Sequence, residues 1–185
     1  HANGGWNRIV QIKMEEEIPG MRGRVKTRQF RQTGEGMDTE VYPQEAANEM
    51  YEDASVPGPK RFLAQSYAAI VFLKMLEEHM GDPILKRDPI VAELISPLDA
   101  IAENRFRRNG YPWTFSPPPN IPRILEAFPN IKFIVRLGGD DGLLHQGRSL
   151  ARRLGVEPDE VAGQGHLVDE SQADIVFNRI KKDLQ

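Results

Sequence analysis

From residue 60 onwards, apolar segments of strand length alternate with longer segments of helical character. The clearest strand is predicted over 131–137, and shorter ones are predicted over 61–64 and 160–162. The apolar run 90–95 is compatible with a buried strand or a short helix, because its periodicity does not distinguish the two. Strands that alternate with helices favour a mostly parallel sheet with helices on its faces. The sequence therefore predicts an α/β fold.

The predicted helices differ in how much of their surface is apolar. The segment from Ala68 to Met80 is apolar almost all round at its start, which indicates burial inside the domain. The segment 171–184 places its apolar residues on one helical face, as expected of a helix at the surface of a core. Further helices are predicted over 42–53, 98–108, 121–128 and 143–154.

The first 59 residues are predicted to extend the α/β portion, which spans 60–185, within a single domain of residues 1–185. Residues 8–14 alternate partly between apolar and polar types, and residues 24–33 alternate again. The Pro19-Gly20 pair between them presets a turn. We therefore expect an N-terminal β-hairpin over 8–33, in which the basic second strand is neutralised by the glutamates of the first.

Composition excludes several classes of protein. A chain that is 39% hydrophobic and 28% charged is expected to be a soluble globular domain. The net charge of −3 argues against nucleic-acid binding, and no apolar run approaches the ~20 residues that cross a bilayer. Without Cys there are no disulfides, thiol nucleophiles or Cys-ligated zinc, which favours the cytoplasm or another reducing compartment. A chain that begins at His1 is compatible with a processed product or a fragment.

A serine follows the first predicted strand of the α/β portion. Ser66 is flanked two residues on either side by Ala64 and Ala68, and a buried helix follows directly. Small residues at these positions allow a tight strand-to-helix turn that projects the serine outward, which is the layout of a nucleophile elbow. The alternative is a serine that caps the helix.

An acidic pair and a histidine follow the later predicted strands. Asp140 and Asp141 come directly after the strand 131–137, and His166 lies on a Gly-rich loop after the strand 160–162. In open α/β sheets, sites form at the carboxyl ends of the strands. Asp141 and His166 are 25 positions apart, which is enough for a helix and a short strand, so we expect these two side chains at neighbouring strand ends.

The order Ser, Asp, His and the run 162–168 resemble the C-terminal half of an α/β-hydrolase, over about residues 60–185. The resemblance implies that Ser66 attacks an acyl carbon, His166 takes its proton and Asp141 orients the imidazole. The backbone N–H of Tyr67 would supply part of the oxyanion hole. The implied function is a serine hydrolase, acting as an esterase on a small-molecule acyl substrate without a cofactor or metal, or a relative that kept the fold without the activity.

Two other interpretations remain open. The turn 136–141 is also similar to the Arg-x-Gly-Gly-Asp-Asp turn of palm-type nucleotidyl cyclases and polymerases, in which the acidic pair, here Asp140 and Asp141, binds Mg²⁺. The Pro- and aromatic-rich segment 109–120 and the basic hairpin suit a non-catalytic protein that docks on a protein partner.

Overall fold

The computed structural model of the chain describes residues 5–27, 42–99, 117–166, 168 and 172–184. Contacts group the chain into two compact units, His1–Glu35 with Val168–Gln185, and Gly36–Leu167. Within the described ranges, no helix combines the length and the apolar character needed to span a membrane.

The larger unit is built around a four-stranded parallel sheet. Its strands are β1 (Lys60–Gln65), β2 (Ile90–Ile95), β3 (Ile131–Gly138) and β4 (Asp159–Val161). They lie side by side in the order β1-β2-β3-β4, and each neighbouring pair is parallel. The predicted α/β fold is thus confirmed, and the run 90–95 is a strand. All four strands end at the same edge of the sheet, where the predicted site residues follow.

Helices precede and connect the strands of the larger unit. They are α2 (Tyr42–Ala54), α3 (Tyr67–Glu78), α4 (Pro83–Arg87), α5 (Ile121–Ala127) and α6 (Leu144–Leu154). The short helix α4 was not predicted from the sequence. Pro is acceptable in the first turn of a helix, and Asp82 caps this one by accepting from the N–H groups of Ile84 and Leu85. The predicted helix 98–108 lies outside the described residues from residue 100.

One face of the sheet carries the apolar core. Alternate residues of β3, from Phe133 to Leu137, are buried on this face, and Phe72 of α3 packs against Phe62 of β1. Helix α6 approaches β3 so closely that a Cβ at Gly147 would overlap the side chain of Leu137. Glycine at this position therefore sets how near α6 lies to the sheet.

The other face of the sheet carries a ladder of charges, one from each strand. Glu93 of β2 is fully buried, and its two carboxylate oxygens accept from Arg61 of β1 at 2.6 Å and Arg136 of β3 at 2.5 Å. Arg136 also pairs with Asp159 of β4. The signs alternate across the ladder, so each arginine lies beside a carboxylate and Glu93 lies between two arginines.

The predicted N-terminal hairpin is wrong. Its first strand is replaced by helix α1 (Gly5–Glu17), and the described part of its second strand, 24–27, forms neither a strand nor a helix; residues 28–33 lie outside the described ranges. Trp6, Val10 and Met14 are spaced by four residues and are all buried, which is a helical stripe. Ile12 decides between the two patterns: alternation would bury it with Val10 and Met14, but it is 43% exposed.

The smaller unit contains α1 and the C-terminal helix α7 (Ala173–Leu184), as predicted for the C-terminal segment. Ion pairs join the two helices, from Lys13 to Asp174 at 2.6 Å and from Lys181 to Glu17 at 2.9 Å. Glu17 therefore pairs with a lysine of α7, whereas the hairpin prediction had paired the glutamates with the basic second strand. The ammonium groups of both lysines also lie over the ring of Phe177, where a cation–π contact adds to the pairing.

Candidate active site

Ser66 lies at a strained turn between β1 and α3. Its backbone has φ 54° and ψ −120°, a region that non-glycine residues rarely adopt. Such a conformation costs on the order of 1–3 kcal/mol and persists only where the surrounding structure enforces it. The side chain makes no capping hydrogen bond to α3, so it does not act as the helix cap considered as an alternative. The turn instead directs the hydroxyl away from the helix, to the sheet edge where the other strands end.

Asp141 lies in the turn after β3, and its side chain is almost fully buried. One carboxylate oxygen, Oδ1, accepts from the backbone N–H of Leu143 at 2.7 Å, while Oδ2 lies 2.8 Å from Nδ1 of His166. Both oxygens are thus used, and the carboxylate is fixed in orientation. The neighbouring Asp140 is exposed and is not part of this hydrogen-bonded arrangement.

His166 lies between the serine and the acid. Its Nε2 is 2.9 Å from Oγ of Ser66, and its Nδ1 is 2.8 Å from Oδ2 of Asp141. Because a carboxylate only accepts hydrogen bonds, Nδ1 carries the proton and Nε2 is left to accept from the serine hydroxyl. The structure therefore brings the three residues Ser66, His166 and Asp141 into one continuous hydrogen-bonded chain.

The loop that carries His166 rests directly on the turn that carries Asp141. The N–H of Asp140 donates to the carbonyl of Gln164 at 3.0 Å. A Cβ at Gly138 would lie 2.9 Å from the carbonyl carbon of Gln164, and closer still to the carbonyl oxygens of Gln164 and Gly165. Only glycine permits this approach, so Gly138 is what allows His166 to lie near Asp141.

Tyr67 is the first residue of α3, directly after Ser66. Its backbone N–H is one of the groups at the helix N-terminus, where the helix carries a partial positive charge. An oxygen that becomes negative next to Oγ of Ser66 would lie at this end of the helix. The role of this N–H in an oxyanion hole, which the family resemblance implies, stays a prediction.

The described residues do not form the arrangement that the palm-type interpretation requires. The turn after β3 leads into α6, not into a second strand, and Asp140 and Asp141 differ in exposure and partners. Across the described ranges, His, Asp and Glu side chains nowhere form a group of three or more that could hold a metal ion. The segment 109–120 is described only from residue 117, so most of that prediction lies outside the described residues.

Sequence reasoning missed the segment that follows β2. Ser96 has φ 42° and is, with Ser66, one of two non-glycine residues with positive φ in the described part of the chain. Asp99, three residues on, is a buried carboxylate at the same sheet edge as the site. Its signal in the sequence was its position shortly after the apolar run 90–95, which the sequence alone did not assign as a strand.

Comparison with solved structures identifies the fold. The ydeN gene product of B. subtilis is similar over 96% of this chain and 89% of its own, with a TM-score of 0.58 and 13% identity. A carboxylesterase structure from the thaumarchaeon Nitrososphaera gargenis is similar over 86% of this chain and 77% of its own, with a TM-score of 0.55 and 11% identity. The chain has the α/β-hydrolase fold. The predicted resemblance is confirmed at the level of the fold.

One of the similar structures belongs to a longer protein. A variant of SOBER1 from Arabidopsis thaliana matches 80% of this chain with a TM-score of 0.43 and 15% identity, and this chain spans only 64% of its length. No model of a known protein family matches the sequence, and neither does any curated protein.

Proposed function

We propose that this α/β-hydrolase-fold chain is a serine hydrolase that cleaves a carboxylic ester or a related acyl bond. The observation that carries the proposal is the continuous chain of hydrogen bonds from Ser66 Oγ through the His166 ring to the buried carboxylate of Asp141. A serine hydroxyl is a weak nucleophile unless a base can take its proton. Here the base is within hydrogen-bond distance, and the acid holds its ring in the required tautomer.

The first half of the proposed reaction transfers the acyl group to the enzyme. Oγ of Ser66 bonds to the acyl carbon as its proton passes to Nε2 of His166. The carbonyl oxygen becomes negative and is stabilised by the backbone N–H of Tyr67. The bond to the leaving alkoxide then breaks, and the proton on Nε2 passes to it, which releases an alcohol and leaves an acyl-serine.

The second half releases the acid and restores the serine. A water molecule gives its proton to Nε2 of His166 and attacks the acyl carbon, and the bond to Ser66 Oγ then breaks with return of the proton to Oγ. Throughout, the carboxylate of Asp141 stays ionised and stabilises the positive imidazolium, which its burial and its N–H donor from Leu143 fit it to do.

Two observations support an acyl bond as the bond that is cleaved. An oxygen nucleophile with a neutral imidazole base suits acyl transfer, and no step of this mechanism needs a metal or an organic cofactor. A carboxylesterase is among the similar folds with a TM-score above 0.5. We therefore propose an ester of a small acyl compound as the substrate class.

A serine-directed fluorophosphonate probe tests this proposal. We expect the folded protein to become labelled at Ser66, as located by mass spectrometry, and to hydrolyse p-nitrophenyl acetate or butyrate. The variant Ser66→Ala should lose both properties, while the control Ser55→Ala, which changes a serine at the end of α2, should keep them. A folded protein that is neither labelled nor active would contradict the proposal and would favour a non-catalytic protein that binds a partner.

A further inference from the structure

The backbone of Ser66 is held by the segment that follows β2. Gln65 and Ile95 are register partners, and the N–H of Ser66 donates to the carbonyl of Ile95 at 2.9 Å. The carbonyl of Ser66 accepts from the N–H of Leu98 at 3.5 Å, in addition to that of Ala69 in its own helix at 3.2 Å. Residues 95 and 98 therefore contact Ser66 on both sides of its Cα, and fix the two peptide groups that determine its strained φ and ψ.

The turn between these two contacts is itself strained. Ser96 is 1% exposed, has φ 42°, and precedes Pro97, a position that restricts its backbone further. Its N–H donates to the carbonyl of Arg136 on β3 at 2.7 Å, and this bond fixes the start of the turn. A strained, buried turn returns the chain from the end of β2 to the nucleophile, and it needs an anchor at its far end to stay in this conformation.

Asp99 supplies that anchor. It is 1% exposed, its N–H donates to Oε1 of Gln146 at 3.3 Å, and its Oδ1 accepts from Nη1 of Arg153 at 2.6 Å. Both partners belong to α6, the helix that follows the Asp141 turn. The segment from Ser96 to Asp99 is thus bound at one end to the peptide groups of Ser66 and at the other end to α6, the helix that begins beside Asp141.

We infer that residues 96–99 brace the nucleophile turn, and that Asp99 is a positioning residue for Ser66. Its catalytic consequence rests on the proposed hydrolase function, whereas its structural part does not. Without the Asp99 anchor, the N–H of Leu98 leaves the carbonyl of Ser66, and the Ser66 backbone relaxes from its strained conformation. The hydroxyl then spends less time within hydrogen-bond distance of His166, while substrate binding elsewhere is unchanged.

The chain offers a matched control at the other end of β2. Asp88 is also a buried aspartate that pairs with basic side chains, Arg87 and Lys60, and holds a loop, through the N–H of Gly58 at 2.6 Å. It precedes β2, whereas Asp99 follows it. Loss of either carboxylate should lower the melting temperature, but only loss of Asp99 should affect Ser66.

The experiment compares Asp99→Ala, Asp99→Asn and Asp88→Ala with the wild type. Two quantities are measured on folded protein: hydrogen exchange of the Leu98 amide, and the rate of fluorophosphonate labelling of Ser66. We expect Asp99→Ala to lose protection of the Leu98 amide and to be labelled at least about tenfold more slowly, because small displacements of a reacting group are costly. The kcat for p-nitrophenyl acetate should fall in parallel, with KM little changed. Asp99→Asn keeps an acceptor for Arg153, so it should keep most of the protection of the Leu98 amide and most of the labelling rate of Ser66.

Equal labelling rates and equal Leu98 protection in Asp99→Ala and Asp88→Ala would overturn the inference, because the role of Asp99 would then be purely structural. If Asp99→Ala does not fold, Arg153→Gln removes the ion pair at a partly exposed position and should slow labelling several-fold in the same way. An unlabelled wild type would refute the proposed hydrolase, yet exchange of the Leu98 amide would still decide whether Asp99 holds the turn at Ser66.

Discussion

Replacement of Gly138 by alanine should displace the loop that carries His166. A Cβ at this position would lie 2.9 Å from the carbonyl carbon of Gln164 and closer to two carbonyl oxygens, where ordinary contact begins at 3.4 Å. All three atoms are backbone, so they cannot rotate away, and the loop must move by about 1 Å as a unit to clear the new methyl group. The 2.9 Å separation between Ser66 Oγ and His166 Nε2 would then exceed hydrogen-bond length.

The expected loss follows from that displacement. A misplacement of about 1 Å costs on the order of 10²-fold in rate, or roughly 2.7 kcal/mol of transition-state stabilisation. We expect Gly138→Ala to lower kcat/KM for p-nitrophenyl acetate by about that factor, mainly through kcat, because the change affects the base and not the part of the site that binds the acyl group.

A nearby glycine provides the control for Gly138→Ala. Gly142 lies in the same turn, and a Cβ there would contact nothing within 4 Å. Gly142→Ala should therefore keep activity within about twofold, since surface changes without a new contact have small effects. If Gly138→Ala and Gly142→Ala were equally active, contact between the two loops could not be what places His166.

Three other substitutions test separate parts of the structure. Asp141→Asn should lower kcat by about 10⁴-fold with a normal melting curve, because an amide at this position no longer fixes the tautomer of His166; a loss below about tenfold would contradict its role as the orienting acid. Glu93→Gln should lower the free energy of unfolding by about 3 kcal/mol in urea titrations, because it leaves two arginines of the ladder without a buried negative charge; an unchanged midpoint would show that the ladder does not contribute. The Arg87 side chain, with the Gly58 N–H, holds the pKa of Asp88 well below its usual range. This carboxylate therefore stabilises the fold fully above its unfolded-state pKa of about 3.8, and the contribution is lost as the pH falls through the folded-state pKa. Asp88→Asn should therefore lower stability at about pH 7 and flatten the loss of stability in acid; parallel acid unfolding curves for the two proteins would contradict this.

The elements of the sheet that could be predicted are those whose pattern has a single interpretation. The strand 131–137 is apolar, short and bounded by turn residues, and the structure extends it by one residue to Gly138. The run 90–95 could not be assigned, because a strand buried on both sides and a buried helix have the same apolar composition. Residues 8–14 were assigned wrongly, because apolar residues at 10, 12 and 14 satisfy a period of two as well as Val10 and Met14 satisfy a helical spacing. Trp6 extends the helical stripe, and the hairpin interpretation had left it out.

The candidate site also has features that could be predicted from the sequence and features that could not. Ser66, Asp141 and His166 could be proposed from their order and from their positions after strands, since parallel strands place such positions at one edge. The contacts that hold them could not be predicted. The roles of Gly138 and Asp99 depend on which backbone passes over which turn, and that is decided by tertiary packing, which no local spacing in the sequence reports.

The ladder of charges on the sheet has a consequence for assembly of the site. A shift of β2 by one residue relative to its neighbours would turn each of its side chains to the opposite face of the sheet. Glu93 would then enter the apolar core and lose both arginines. Misaligned pairings are therefore penalised by an unpaired buried charge, in addition to the loss of apolar packing. Ser66 and Asp141 follow the ends of β1 and β3, so their positions at the sheet edge depend on the register of these strands. The charge ladder therefore favours the register in which both side chains reach His166 over one in which they are offset by a residue.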